Sequence, residues 1–166
     1  RDLRMSRGLG DVYKRQLSVS ANQDAEVLGV TFGSTCEETV QKLNKDYGTP
    51  KSQSADKLVY LNEMFEGFKA DRVELGFQDL QGTTKLNQAR FYFVCPNKAA
   101  AIARMKSLVK KMETHYSVSY DEEDGGTAFY KGGNSPLGIG CLFTIFVSPY
   151  QGKWTCQLRY GKFQFK

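Results

Sequence analysis

Apolar residues recur along this chain in two rhythms. The helical rhythm is clearest at Val40, Leu43 and Tyr47, spaced i, i+3, i+7. Thr35 and Glu38 stand before it at capping-box spacing, and Glu37 and Glu38 place negative charge at the positive end of the helix dipole. Gly48 and Pro50 end the pattern, because glycine accepts a left-handed stop and proline blocks continuation. Val27 to Phe32 predicts a short strand just ahead. A second helix is predicted from Lys98 to Tyr116, with Asn97 as N-cap. Its buried stripe is Ile102, Met105, Val109, Met112 and Tyr116, and Arg104, Lys106, Lys110 and Lys111 take the solvent side.

The other rhythm is alternation, the mark of a strand with one face buried. Leu58 to Leu61 is a short strand, and Asn62 to Ala70 a turn or bent hairpin carrying Met64, Phe65 and Phe68. Asp71 to Gln78 puts Val73, Leu75 and Phe77 on one face. Asp79 to Lys85 is a loop, and Gln88 to Cys95 alternates again through Ala89, Phe91, Phe93 and Cys95. After the second helix come a strand at Thr127 to Tyr130 and a Gly/Pro-rich loop from Lys131 to Gly140. Cys141 to Val147 is apolar on both faces, hence central. Trp154 to Tyr160 places Trp154, Cys156, Leu158 and Tyr160 together, and Phe163 and Phe165 extend the pattern. An aromatic content of 13% fits so much sheet.

The two halves repeat. Val40, Leu43 and Tyr47 return 69 residues later as Val109, Met112 and Tyr116, and Tyr60 returns 70 residues later as Tyr130. The expected fold class is therefore α+β: two αβββ repeats, about 29–95 and 97–165, share one antiparallel sheet. Each helix shows one apolar stripe, so both are expected on the same face of the sheet. Residues 26–166 form a single domain in this reading.

The segment Gly29-Val-Thr-Phe-Gly-Ser-Thr35, followed by a helix and Tyr47-Gly-Thr-Pro50, resembles the start of small exported bacterial αβββ domains. The similarity is to the SmpA/OmlA (BamE-like) outer-membrane lipoproteins and to the β-lactamase inhibitor proteins. It implies export and a non-catalytic role in envelope assembly or in inhibiting an extracellular hydrolase. This helix is longer than the lipoprotein one, and no cysteine follows Ala21 to carry a lipid.

Charge and the chain's beginning refine this picture. Residues 1–16 hold five basic and two acidic side chains, so they supply three of the net +5 charges. Within them, Arg7-Gly-Leu-Gly-Asp-Val-Tyr-Lys-Arg-Gln16 resembles the translated adapter scar at the ends of some assembled environmental sequences. Residues 1–16 are set apart as a non-native tail, and the remaining +2 gives no case for nucleic acid. Residues 17–25 read as a signal-peptide remnant, since Val19-Ser-Ala21 has the small-residue form of a cleavage site. The expected location is periplasmic or secreted. No run approaches the ~20 apolar residues that span a bilayer.

Candidate chemistry is sparse. His115 is the sole histidine, near Ser117 and Ser119, with no acid placed to orient it. Asp121 to Gly126 lacks calcium-loop spacing and reads as a solvated hairpin turn. The glycine-rich loop lacks the phosphate-loop order. Cys36, Cys95, Cys141 and Cys156 show no metal spacing. A bridge between Cys141 and Cys156 is excluded by distance if the last turn centres on Tyr150-Gln151, and a bridge from Cys36 to Cys95 or Cys156 stays open. No cofactor is expected. Glu63, Asp71 and Glu74 are the carboxylates from which a small-ligand site or a carboxylate enzyme could be built. The favoured reading is a protein-binding module for another envelope or extracellular protein. Its contact rim is formed by Met64, Phe65, Phe68 and Leu137 on the two corresponding loops.

Overall fold

A computed structural model describes residues 25–123 and 127–166. In chain order the elements are β1 (Glu26–Val27), β2 (Val30–Thr31), α1 (Cys36–Tyr47), β3 (Ser52–Gln53) and β4 (Lys57–Phe65). They continue with β5 (Phe68–Leu80), β6 (Thr83–Cys95), α2 (Lys98–Met112), β7 (Val118–Glu123), β8 (Thr127–Gly132), β9 (Phe143–Tyr150) and β10 (Lys153–Gly161). The larger sheet has eight strands in the order β3-β4-β5-β6-β10-β9-β8-β7, every pair antiparallel. β1 and β2 form a separate small hairpin.

The caps follow the residues that predict them. The Thr35 hydroxyl accepts from the Glu38 amide, and the Glu38 carboxylate accepts from the Thr35 amide at 2.8 Å. Asn97 accepts from the Ala100 amide at 2.8 Å. α2 ends at Met112 rather than Tyr116, and its buried face is Ala101, Met105, Leu108, Val109 and Met112. Ile102 is left half-buried on its flank.

Four hairpins turn on one device. Leu28-Gly29, Glu66-Gly67, Gln81-Gly82 and Gln151-Gly152 each hold two successive residues at positive φ. This is the turn whose twist matches paired strands, and the glycine accepts the left-handed conformation without a Cβ clash. Glutamine in place of the usual Asn or Asp blurred the Gln81-Gly82 turn into a longer expected loop and shifted the expected centre of the last turn by one residue. As a result β5 and β6 are 13-residue strands joined by a tight turn, where the sequence predicts a loop from Asp79 to Lys85. The last turn centres one residue later than expected, so Cys156 pairs with Val147 and not Ile145.

The single strand expected from Val27 to Phe32 is instead the β1–β2 hairpin, turning at Leu28-Gly29, and two further strands exceed the expectation. β3 is a two-residue edge piece, and β7 runs through Asp121 and Glu123, where the sequence suggests a hairpin turn. The rest of that acidic stretch, 124–126, lies outside the described residues. Asp, Glu and Ser are poor strand formers, and β7 is an edge where such side chains stay wet.

One core unites the layers. Leu43 of α1 and Met105, Leu108 and Met112 of α2 share a buried cluster with Tyr60, Val73, Phe91, Phe93, Phe143, Leu158 and Tyr160 of the sheet. Aromatic contacts tie it together, Phe65 lying 4.4 Å and Tyr160 6.2 Å from Phe91 between ring centroids. The C-terminal strap closes one end. Asn87 Nδ2 donates to the Phe163 carbonyl, the Phe163 amide donates to Asn87, and Gln78 pairs in the same two-way manner with Phe165.

All four cysteines are free thiols. Burial pushes the Cys156 thiol up to about 12 and the Tyr60 phenol up to about 12.

Three measurements test this account. Thr35→Ala, which deletes the cap, is expected to cost about 1 kcal/mol in urea unfolding. Phe91→Ala, which opens a cavity in the core, is expected to cost about 3–5 kcal/mol. Cys156 and Tyr60 keep their protons in the folded state past pH 9.0 and 10.0, where the unfolded chain loses them. The unfolded chain then binds fewer protons, so stability is full below pH 9 and falls as pH rises from about 9 to about 12. Urea midpoints at pH 8, 10 and 11 check the direction, and Cys156→Ala should flatten the slope.

Candidate interaction rim

The β4–β5 hairpin decides where the predicted contact residues go. β5 pairs with β6 only as far as Arg72↔Tyr92, and beyond that point it continues with β4 alone. At the departure Asn62 takes φ 58°, and the Asp71 carboxylate accepts from the Val94 amide at 2.7 Å. The tip then closes over the helical layer. Its Met64 carbonyl accepts from the Tyr47 hydroxyl of α1 at 3.0 Å, and Arg104 of α2 stacks on the Phe68 ring at 4.9 Å.

This geometry splits the four predicted rim residues. Phe65 is 8% exposed with its ring against Phe91, so it is a core residue and offers a partner no surface. Phe68 is half-buried beneath Arg104. Met64 and Leu137 stand in solvent, 57% and 45% exposed. Ile139, which the sequence reading passed over, is the most exposed large apolar residue described, at 88%. Its signal was available: an isoleucine held between Gly138 and Gly140 sits in a glycine-rich loop without the apolar spacing of a helix or strand.

The loop that carries Leu137 and Ile139 is held firmly. Ser135 is buried and organises it: the Ser135 amide donates to Gly140, and the amides of Leu137 and Gly138 donate to the Ser135 hydroxyl and carbonyl. At its base a Cβ added to Gly132 meets the Phe143 ring at 2.7 Å and the Ser117 carbonyl at 2.8 Å. Glycine is needed there for close packing, not for an unusual φ.

Two cavities adjoin at His115 and Tyr116, just past the end of α2. One, about 690 Å³, lies between the β1–β2 turn and the Met64–Glu66 tip. The other, also about 690 Å³, opens toward Lys131–Asn134, Gly140 and Cys141. The Met64–Glu66 tip and the base of the Lys131–Gly140 loop each line a cavity that His115 and Tyr116 share, and Leu137 and Ile139 line neither. Glu26 and Glu66 give the first cavity a negative rim beside His115. Ser117 and Ser119 share a wall with His115 in the second, whose lining contains no carboxylate to orient the imidazole.

Glu63, Asp71 and Glu74 are not brought together in either cavity. Glu74 is bound by Arg72 at 2.6 Å and by the Tyr92 hydroxyl, and Asp71 is engaged with Val94. Burial raises the Glu63 carboxyl above its ordinary range. Among the described residues no cluster of three or more His, Cys, Asp or Glu is placed to hold a metal ion, and no helix is long and apolar enough to cross a membrane. Comparisons with protein-family models, curated proteins and solved structures each found no match.

Gly132→Ala should lower stability by about 1–3 kcal/mol, because the ring and carbonyl that meet the new methyl belong to packed structure. Met64→Ala should change stability by less than about 0.5 kcal/mol, whereas Phe65→Ala should cost about 3–5. Thermal or urea unfolding of the three variants reads the contrast directly.

Proposed function

We propose that this chain is an exported, non-catalytic protein-binding module of the cell envelope, which engages its partner through the rim around His115. The observation that carries this is the presentation of Leu137 and Ile139. A loop pinned by a buried serine holds Ile139 almost wholly in water and leaves Leu137 45% exposed beside it. A fixed apolar contact loses little entropy on binding, which is what an interaction surface requires. Met64 adds a third such group on the loop across the segment.

Envelope location rests on the cleavage-like Val19-Ser-Ala21 and on the resemblance of the α1 segment to exported αβββ domains. We also read the two halves as copies of one ancestral unit. In support, each half runs helix, then strands, from the sheet edge toward its centre, and the last strands of the two halves meet at β6 and β10. Each half carries four strands, one more than the αβββ unit expected from the sequence, the additions being the edge strands β3 and β7.

Site-specific photo-crosslinking tests the reading. A photoreactive residue at position 139, in the full chain, should give a discrete protein adduct with envelope extract. That adduct should vanish in the Leu137→Asp background and be absent with a probe at exposed Lys57. Identical adduct patterns from positions 139 and 57, or turnover of a substrate by the isolated protein, would overturn it. If the captured protein is a hydrolase, its activity with and without this chain separates inhibition from assembly.

A further inference from the structure

A second surface lies away from the rim. Eight strands at about 4.8 Å spacing make a face some 34 Å wide. A helix covers about 10 Å of it. α1 and the β4–β5 tip cover one end, and α2 packs over β6, β9 and β10. The end formed by β7, β8 and the outer part of β9 has no helix above it among the described residues. What lies there is a groove of about 740 Å³ between α2 and the sheet. Its floor and far wall are Tyr120, Tyr130, Val147 and Trp154, and Ile102 of α2 forms the near wall. Tyr120 is 55% exposed, and its ring meets that of Tyr130 edge-on at 5.4 Å.

The near wall is strongly basic. α2 carries five cations and no anion in its fifteen residues. Arg104 turns to the other side, onto Phe68, while Lys98 and Lys106 line the groove on either side of Ile102. Lys98 sits 5.5 Å from the centre of the Trp154 ring. The far wall carries one carboxylate: the Tyr120 hydroxyl donates to Glu122 at 2.9 Å. A nucleic-acid strand would meet the Glu122 carboxylate, so basic charge with aromatics does not here add up to a polyanion site. The chain's own first sixteen residues carry the same sign as the lysines and are poorly matched to them.

We propose that this groove binds an amphipathic helix of a partner protein, apolar stripe down on the tyrosines and Trp154, acidic flank against Lys98 and Lys106. The cations line the α2 wall and the Tyr120–Glu122 pair lies opposite, so the occupant's acidic flank is directed to the α2 side, which fixes its orientation. The inference does not rest on the rim, and the two fail separately.

Trp154 is the only tryptophan in the chain, so its fluorescence reports this groove alone. The full chain is titrated with two designed 18-residue amphipathic helices, identical except for Glu or Lys along one flank. The Glu peptide should shift Trp154 emission and saturate, and bind at least about 10-fold more tightly than the Lys peptide. Lys98→Glu/Lys106→Glu should reverse that preference, and Tyr120→Ala should weaken the Glu peptide about 5-fold. All three are exposed positions, so unchanged circular dichroism is expected, and Leu137→Asp should leave the titration unaltered. Equal affinity for the two peptides, or no response to either, overturns the proposal. So does tighter quenching by an oligo-dT strand at the same salt. A Trp154 change with protein concentration alone, accompanied by a doubled mass in sedimentation, assigns the groove to self-association and overturns it as well.

Discussion

β6 and β10 pair across the middle of the sheet for eight residues, from Cys95↔Trp154 to Gln88↔Gly161. The side chains this register sends to the helical face include Phe93, Phe91, Cys156 and Leu158, all excluded from water. Among the described residues no other strand pairing joins the halves of the chain. A slip of β10 by one residue would turn Cys156 and Leu158 to the opposite face and bring up Gln157 and Arg159 instead. The register is therefore enforced by burial, and both helices take their places from it: α2 lies directly over the joint, and α1 meets β6 beside it.

The opposite face shows why the joint is not simply apolar on both sides. Arg90 and Arg159 stand directly across from each other there, a placement that works against pairing. Burial and the neighbouring Arg90 together lower the Arg159 pKa. Arg159 also stacks on Phe146, and Glu74 sits across from Arg90 on its other side. Charge on this face is thus tolerated by local partners, while the helical face supplies the stability.

The candidate sites come from places where regular pairing stops. The β4–β5 tip leaves β6 at Asp71, and this single departure turns Phe65 inward and leaves Met64 outside. Periodicity had no means of separating those neighbours, because both are apolar and both sit in a segment with no clear alternation. Leu137 was legible as an apolar residue in a glycine-rich loop, and Ile139 should have been read in the same way. The groove beside α2 was not legible at all. Tyr120, Tyr130 and Trp154 come from three strands, and strand β7 was hidden by its acidic residues.

By itself the sequence determined the local pieces: the Thr35–Glu38 and Asn97 caps, the part of each helix stripe at Leu43 and at Met105, Val109 and Met112, and the inward faces of Val73 to Phe77 and of Ala89 to Cys95. These depend on residues within a few positions of one another, where hydrogen-bond reach and side-chain period act directly. The tertiary structure alone decided which strand is central, where each hairpin turns and which apolar side chains stay wet. Cys141 to Val147 was expected at the centre, yet β9 is one strand removed from the β6–β10 joint. Those outcomes depend on what the rest of the chain brings alongside, and a residue's own neighbours in sequence carry no record of it.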